Sequence, residues 1–429
     1  MSFSNVVKFE LPYGKGKETL RIEERDIVGV ITSNINQYQP NMDKYEIVKR
    51  AMENPIATKR LKELAVGKKK VCLIASDHTR PVPSKIIVPL MLSEIREGNP
   101  DADITILIAT GLHRTTTKAE LVAKFGQEIV DKEKIVIHDC DDEKNLVYMG
   151  NLPSGGRFIV NKIAAEADLL ISEGFIEPHF FAGFSGGRKS VLPGVCARET
   201  VMFNHNAGFI NDKNARTGVI ENNPVHEDML FAAKKAKLQY IVNVIINAEH
   251  DPIFAVAGDV EKAHSTGVNF LKEKCKVKAQ KADIVITTNG GYPLDQNVYQ
   301  AVKGMTAAEA TVNDGGVIIM VAEASDGHGG KSFYETFKNC ESIEKLMQKF
   351  LSTPPLETEI DQWQSQILAR VMLKATVVLV SSCDREMVEN MKMVYAKNID
   401  EAIEKAKAIL QKPKCSITVI PDGVSVIVE

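Results

Sequence analysis

The stretch Val71-Cys72-Leu73-Ile74-Ala75-Ser76 runs directly into Asp77-His78-Thr79-Arg80-Pro81, and this junction decides the fold class. A short apolar run bounded by polar residues predicts a strand that is buried on both faces of a parallel sheet. Open α/β sheets bind their ligands beyond the carboxyl ends of the strands. We therefore expect the polar residues after Ser76 to belong to a binding site.

Further apolar runs repeat this pattern at residues 104–110, 135–139, 169–172, 241–246, 284–288, 317–322 and 377–381. Apolar residues at helical spacing lie between them, for example at 85–97 and 118–129. This alternation predicts an α/β fold with mostly parallel, doubly wound sheets.

The length of 429 residues, at roughly 150 residues per domain, leaves room for two or three cores. A Lys-rich helical stretch at 261–281 precedes a fresh strand, so we place a boundary near residue 270. The predicted domains cover 1–270, 271–411 and 412–429, the last being a C-terminal β-hairpin near the hinge. A second hairpin is predicted at the N-terminus, where 6–11 and 20–24 flank turn-forming residues.

Composition excludes several classes of function. The formal net charge of −3 leaves no basic field for a nucleic acid. The seven cysteines are scattered without a CxxC pair, which favours a reducing compartment. Residues 1–5 lack a signal-peptide pattern, and no apolar run approaches the roughly 18 residues of a membrane span. We expect a cytoplasmic protein that binds neither nucleic acid nor membrane.

Candidate site residues follow the first predicted strands. Arg80 carries a planar fork suited to a carboxylate or phosphate, and Asp77 is placed to hold that fork. A solvated surface pair is the alternative. His113, His179 and His205 lie in loops of the same region, and histidine is the usual proton shuttle or metal ligand near neutral pH.

The other histidines give a weaker signal. His78 adjoins Asp77 and stays open as a candidate. The contexts of His138, His226, His250 and His264 are apolar, polar or helical and favour a packing or surface role.

The segment Ser185-Gly186-Gly187-Arg188-Lys189-Ser190 offers backbone N–H groups, two cations and a hydroxyl, which are the materials of an anion-binding loop. It is not a Walker A loop, because that motif needs Gly immediately before the Lys. Lys189 is a candidate phosphate partner or covalent attachment point. The residues alone do not choose between the two.

The second predicted domain has a candidate helix face and a candidate loop. If a helix opens at Asp295, then Tyr299, Gln300 and Lys303 lie close together on its surface, where they can bind a small anion. A solvated helix surface is the alternative. Residues 325–330, after the next strand, are a candidate rim of the site.

Together these segments resemble the lactate racemase family, which uses a nickel-pincer nucleotide. The resemblance spans most of the chain, in the same order and with similar spacing. The segments that carry it are residues 77–81, 110–114, 178–179, 184–194, 204–205 and 295–303.

The resemblance implies the cofactor pyridinium-3-thioamide-5-thiocarboxylic acid mononucleotide, whose arms hold nickel through S, C and S atoms. By motif match, His205 supplies the remaining nickel ligand as a neutral imidazole in a square-planar site. Lys189 matches the lysine that can be joined to the cofactor through a thioamide. The residues implied around its phosphate are Ser185, Gly186, Gly187 and Arg188.

The resemblance also implies a racemase of small 2-hydroxy acids, with lactate as the default, that acts by proton-coupled hydride transfer to and from the cofactor. It implies two α/β lobes with the cofactor between them. His113 and His179 match the paired acid/base histidines. The implied substrate-binding residues are Arg80, Gln300 and Lys303 at the carboxylate, Asp77 orienting Arg80, and Tyr299 and Trp363 as aromatic lining. Proteins of cofactor biosynthesis are the implied partners.

Two alternatives belong to other classes of function. A non-catalytic protein that binds or stores the cofactor would need neither the histidine pair nor the carboxylate-binding residues. A dehydrogenase with an exchanging nicotinamide would need GxGxxG after an early strand, and the sequence has no such motif there.

Overall fold

The structure is a computed structural model that describes residues 5–247 and 249–429. Residues 1–4, which belong to the stretch without a signal-peptide pattern, lie outside the described residues. Strands are β1 (Val6–Tyr13), β2 (Gly16–Glu23), β3 (Ile27–Val30), β4 (Lys70–Ser76), β5 (Asp103–Ala109), β6 (Lys134–Ile137), β7 (Leu146–Asn151), β8 (Arg157–Asn161), β9 (Leu169–Phe175), β10 (Pro178–His179), β11 (Gly183–Phe184), β12 (Leu238–Ile246), β13 (Pro252–Gly258), β14 (Lys276–Val277), β15 (Ala282–Thr288), β16 (Val312–Val321), β17 (Thr376–Val380), β18 (Val394–Ala396), β19 (Ile417–Ile420) and β20 (Ile427–Val428).

The strands alternate with helices, as the apolar pattern predicts. The helices are α1 (Lys44–Glu53), α2 (Leu61–Ala65), α3 (Ser84–Gly98), α4 (Lys118–Phe125), α5 (Gln127–Lys132), α6 (Lys162–Ala165), α7 (Arg198–Asn204), α8 (Ala207–Asn211), α9 (Pro224–Lys235), α10 (Lys262–Cys275), α11 (Val298–Thr311), α12 (Lys331–Lys338), α13 (Ile343–Ser352), α14 (Gln362–Lys374), α15 (Arg385–Asn390) and α16 (Ile399–Leu410). The α/β fold class with mostly parallel sheets is confirmed.

The chain divides into two compact units, each built from separate stretches of sequence. Unit 1 comprises the described part of Met1–Asn34 together with Asn206–Asn211 and Lys274–Glu429. Unit 2 comprises Ile35–His205 and Asp212–Glu273.

Unit 2 is organised around a six-stranded sheet with the order β13-β12-β9-β4-β5-β6. The strands from β12 to β6 are parallel, and β13 is an antiparallel edge strand. Side chains such as Leu73, Ile106 and Ile171 are fully buried against α3 residues Val88 and Met91. The carboxyl ends of β4, β5 and β9 therefore lie at one edge, and the loops that follow them carry the candidate residues.

Unit 1 contains a second six-stranded sheet, with the order β18-β17-β16-β15-β19-β3, and every pairing in it is parallel. The N-terminal hairpin is confirmed, since β1 and β2 pair antiparallel from Val6 to Glu23. Its Leu11, Leu20 and Ile22 are buried in the same core as the α16 residues Ala402 and Ile403. The hairpin therefore belongs to unit 1, although the sequence placed it within the domain 1–270.

Residues 412–429 do not form the predicted hairpin. Strand β19 lies between β15 and β3, while β20 pairs in parallel with β14. The turn between them is tied to the end of β15, because Gly423 N donates to Thr288 O at 3.1 Å and the Thr288 hydroxyl donates to Pro421 O at 2.7 Å. These bonds carry the chain away from β19 instead of folding it back.

The cysteines and the helices of the described residues concern the whole chain. All seven cysteines are free thiols, as their spacing predicts. Across residues 5–247 and 249–429, the structure has no helix of the length and apolarity that crossing a bilayer requires.

Candidate active site

His113 and Asp77 form a hydrogen-bonded pair just beyond the carboxyl ends of β5 and β4. His113 Nδ1 lies 2.7 Å from Asp77 Oδ2, and Asp77 is only 1% exposed. A neutral imidazole makes this contact by donating its Nδ1–H to the carboxylate, which leaves Nε2 as a proton acceptor. Burial alone would raise the pKa of Asp77, but hydrogen bonds from His113 and Thr79 and the charge of Arg80 outweigh it and hold that pKa below its ordinary value.

Arg80 reaches Asp77 through a hydroxyl. One guanidinium N–H of Arg80 donates to Thr79 Oγ1 at 2.9 Å, and that hydroxyl donates to Asp77 Oδ1 at 2.7 Å. The sequence assigned Asp77 to orienting Arg80, and the structure gives it a direct contact with His113 and an indirect one with Arg80. One buried carboxylate thus connects a proton acceptor to a fixed cation.

Lys124 joins this group and was missed by the sequence analysis. It lies in the last turn of α4, and its Nζ donates to Arg80 O at 3.1 Å. Burial lowers the pKa of its ammonium. Nothing in the spacing of Lys124 signals this position. His78, left open above, makes a 3.0 Å contact from Nδ1 to Thr116 Oγ1.

Three predicted residues surround the ring of Phe181. The rings of His179 and His205 meet it edge-on, with centroids 4.5 Å and 5.2 Å away, and Lys189 Nζ lies 5.6 Å from its centroid. The structure therefore brings together His179, Lys189 and His205, which are separated by up to 26 residues in sequence. Phe181 was not predicted, although the aromatic pair Phe180-Phe181 directly after His179 was a usable signal.

His179 has the opposite hydrogen-bonding arrangement from His113. Its Nδ1 faces the backbone N–H of Ala182 at 3.3 Å and of Phe181 at 3.5 Å. An Nδ1 that accepts from N–H groups belongs to the tautomer with the proton on Nε2. In this tautomer His179 Nε2 is a hydrogen-bond donor, where His113 Nε2 is an acceptor.

His205 has the properties of a metal ligand. It follows α7 and is 5% exposed, with its backbone N–H donating to Val201 O at 3.0 Å. Burial and then the charge of Lys189 lower the pKa of His205 to about 3. The imidazole is neutral at physiological pH, which is the form that binds a metal. The donor at position 205 thus fits nickel, and the adjacent Lys189 fits an anionic group.

The polar groups of the loop before Lys189 form hydrogen bonds with neighbouring segments of unit 2. The Ser185 hydroxyl donates to Phe175 O at 3.0 Å and accepts from Glu177 N at 2.9 Å. Gly187 N donates to Asn243 Oδ1 at 2.7 Å. Gly186, at φ 76°, leaves no room for a side chain, because an added Cβ would lie 2.8 Å from the same Asn243 oxygen.

The side chain of Arg188, in the same loop, is buried. It is 1% exposed and donates to Ala182 O and Phe184 O, both at 2.7 Å, and to His226 Nδ1 at 3.0 Å. Burial lowers the pKa of the guanidinium to about 9. The described contacts of Ser185, Gly187 and Arg188 hold the loop that carries Lys189, and their place at the cofactor phosphate stays a prediction. His226 and His264, assigned to packing, do pack here, and His264 Nε2 lies 2.8 Å from Ser185 O.

The remaining predicted residues lie in unit 1, on two helices. Tyr299, Gln300 and Lys303 are in the first two turns of α11, whose N-cap Asn297 accepts from Gln300 N at 2.9 Å. Trp363 is in the first turn of α14. Asp295 precedes the helix and is buried, accepting from Gly14 N at 2.7 Å. The predicted rim loop contacts α11, since Gly327 O and His328 O accept from Val298 N and Tyr299 N.

Comparison with known proteins identifies the family of this chain. Residues 13–218 match the family model of the lactate racemase N-terminal domain, and residues 277–428 match that of the lactate racemase C-terminal domain. The chain belongs to the lactate racemase family. The resemblance inferred from the motifs is therefore confirmed.

Similar proteins of the lactate racemase family extend over the whole chain. The lactate racemase of Thermoanaerobacterium thermosaccharolyticum is 53% identical over 99% of both chains. That of Lactiplantibacillus plantarum is 50% identical over 99% of this chain and 100% of its own. The solved structure of the T. thermosaccharolyticum lactate racemase apoprotein matches with a TM-score of 0.95 and 52% identity, covering 99% of this chain and 100% of that one.

Proposed function

We propose that this protein racemises small 2-hydroxy acids, with lactate as substrate, using a nickel-pincer nucleotide. The observation that carries the proposal is the grouping of His179, Lys189 and His205 around Phe181, in a chain about 50% identical to proteins named lactate racemase. A neutral, buried imidazole beside a lysine suits a metal held on an anionic cofactor.

His205 would bind the nickel through its imidazole, and Lys189 would hold the cofactor by charge or through a covalent thioamide. When bound, such a cofactor supplies a site that takes up the Cα hydride of a 2-hydroxy acid and returns it. The loop from Ser185 to Arg188 would fix the position of Lys189 through its hydrogen bonds to neighbouring segments of unit 2. Ser185, Gly186, Gly187 and Arg188 remain proposed cofactor-binding residues on the strength of the family motif.

The two histidines would move the hydroxyl proton. His113 accepts it at Nε2, because its Nδ1–H is already committed to the Asp77 carboxylate. That carboxylate stabilises the imidazolium that forms. For the other enantiomer the two histidines exchange roles. In each direction the histidine that holds a second ring proton would return it to the alkoxide and become neutral again. Racemisation needs two such groups, since the enantiomers present their hydroxyls on opposite sides of the Cα.

The substrate carboxylate needs cationic and amide partners. Arg80 is held for this role by the hydroxyl of Thr79. Gln300 and Lys303, on α11, remain proposed partners on the strength of the family motif, and so do Tyr299 and Trp363 as aromatic lining. A carboxylate held this way keeps the flat 2-keto acid from escaping before it is reduced again.

The experiment that tests the proposal is reconstitution with the cofactor, followed by loss of optical rotation from L- and D-lactate. We expect His113→Ala and His179→Ala to abolish racemisation while nickel stays bound, and His205→Ala to lose nickel. His250→Asn, at an exposed turn of unit 2, is the control. Turnover at the unaltered rate in the His113 and His179 variants would contradict the proposal.

A cofactor-storage protein is the competing function, and the same experiment separates the two. A nickel-loaded protein that is inert toward a panel of chiral 2-hydroxy acids would favour storage. We also propose that proteins of cofactor biosynthesis are partners and that the protein works in the cytoplasm, where its seven free thiols stay reduced.

A further inference from the structure

Asp361 combines an uncommon backbone conformation with an uncommon partner. Its φ of 65° and ψ of 4° lie in the left-handed region, which residues with a Cβ rarely adopt. It is the N-cap of α14, yet its side chain makes no capping hydrogen bond to that helix. Its Oδ1 instead accepts from the Tyr299 hydroxyl at 2.9 Å. A strained backbone thus coincides with a carboxylate committed to Tyr299 and not to its own helix.

Tyr299 is fixed at several points within unit 1. Its backbone N–H donates to His328 O at 3.2 Å, and its carbonyl accepts from the Gln364 side chain. Its ring meets Phe333 edge-on at 5.2 Å. The phenol has one hydroxyl proton, and that proton is given to Asp361. Toward a ligand, the Tyr299 oxygen can therefore only accept a hydrogen bond.

We propose that Asp361 determines which 2-hydroxy acids the protein accepts, an inference that rests on the proposed function and on Tyr299 lining the substrate. A second carboxylate on the substrate would meet an oxygen that cannot donate, with the negative charge of Asp361 behind it. A methyl or other uncharged side chain meets no such repulsion. Asp361 thereby selects monocarboxylic 2-hydroxy acids and rejects dicarboxylic ones.

Asp361→Asn isolates the charge. Asparagine tolerates the left-handed backbone and keeps an Oδ1 that accepts from Tyr299, so the substitution removes only the negative charge. The control is Asp314→Asn, an exposed acid on β16 of the same unit. We expect the ratio of kcat/KM for malate to that for lactate to rise about tenfold in Asp361→Asn and to stay unchanged in the control.

Trp363 allows binding to be measured without turnover. It is the single Trp of the chain and lies two residues after Asp361, so its fluorescence reports on this position. Titration with lactate and with malate is expected to show tighter binding of lactate to the unaltered protein. The difference should shrink in Asp361→Asn.

The outcomes separate the two proposals. A malate-to-lactate ratio that is the same in Asp361→Asn and the unaltered protein, in turnover and in fluorescence, would overturn the role of Asp361. So would efficient racemisation of malate by the unaltered protein. If the loaded protein fails to racemise lactate while fluorescence still shows charge-dependent selection of lactate, the proposed function fails and the role of Asp361 stands.

Discussion

Asp77 is the residue on which the acid/base chemistry depends most directly. Asp77→Asn removes the carboxylate that accepts from His113 Nδ1, and its amide can stabilise the wrong tautomer of the imidazole. We expect kcat for lactate to fall by about 10²–10⁴ with little change in KM. Steady-state kinetics of the reconstituted protein measure both, with Asp131→Asn on an exposed helix as control. A rise in KM with kcat unchanged would instead show that Asp77 acts mainly by positioning Arg80 for substrate binding.

His226 makes the stability of the protein depend on pH. Burial and the charge of Arg188 lower the pKa of His226 to about 3, against about 6.5 in an unfolded chain. Between about pH 6.5 and pH 3, the His226 imidazole is protonated in the unfolded state and neutral in the folded state. The free energy of unfolding therefore falls as the pH drops through this range.

His226→Asn should flatten this dependence. The Asn oxygen can replace Nδ1 as acceptor for the Arg188 Nε–H, but it does not titrate. As the pH is lowered, we expect the free energy of unfolding of the variant to fall less steeply than that of the unaltered protein. The two slopes should differ by up to about 1.4 kcal/mol per pH unit. Urea unfolding between about pH 6.5 and pH 4.5 measures the slope. Equal slopes for the variant and the unaltered protein would show that His226 does not carry the effect.

At the scale of single residues, the sequence predicted positions better than contacts. It predicted that loops after parallel strands converge at one sheet edge, and the structure places His179, Lys189 and His205 around Phe181. It had no means to distinguish Arg188 from Lys189, two adjacent cations of which the first is 1% exposed. Which of two neighbours points inward depends on the turn of the backbone, and composition does not contain that information.

At the scale of elements, the loop 325–330 sets the start of α11. Gly329 has φ 81°, and an added Cβ would lie 2.5 Å from Asn297 Oδ1 and 2.9 Å from Tyr299 Cβ. Gly315 has a similar φ of 73° with nothing within 4 Å. Alanine at either position destabilises the folded state, because a residue with a Cβ is strained in the left-handed region. Only Gly329→Ala also displaces Asn297, the N-cap of α11.

We therefore expect Gly329→Ala to lower the free energy of unfolding by about 1–3 kcal/mol more than Gly315→Ala does. It should also raise KM for lactate, because α11 carries Gln300 and Lys303. Urea unfolding and steady-state kinetics of the two variants, measured side by side, test both effects. Equal losses of stability would show that the loop yields without moving α11.

The strands were predictable where an apolar run ends in a polar loop, and the C-terminus shows the limit of that rule. Residues Pro421-Asp422-Gly423 have the composition of a hairpin turn. However, β19 is buried at every position, a pattern typical of a strand inside a parallel sheet and not of a hairpin with one solvated face. The apolar spacing over 118–129 predicted a single helix. The structure has two helices there, separated at Gly126, where φ is 88°.

At the scale of the whole molecule, a boundary placed once along the chain does not describe the units. The chain enters unit 1 at its N-terminus and again after Glu273, and β3 completes the sheet built by residues 282–420. Asn34 N donates to Lys274 O at 2.8 Å, so the two stretches adjoin inside the unit. Apolar patterning predicts that a strand exists, but it does not say which distant strand it joins.

This architecture predicts that residues 274–429 do not form a stable unit alone. Without the N-terminal stretch, the burial of Leu11, Leu20 and Ile22 is lost, at about 1.5–3 kcal/mol for each side chain. The edge of β19 that β3 covers is also exposed. Joining residues 5–34 to residues 274–429 through a short Gly-Ser linker should restore cooperative unfolding, because Asn34 and Lys274 are already hydrogen-bonded. Thermal unfolding followed by circular dichroism, with size-exclusion chromatography, compares the fusion with the shorter fragment. If both unfold at the same temperature as monomers, the N-terminal stretch is dispensable and the division into units does not reflect stability.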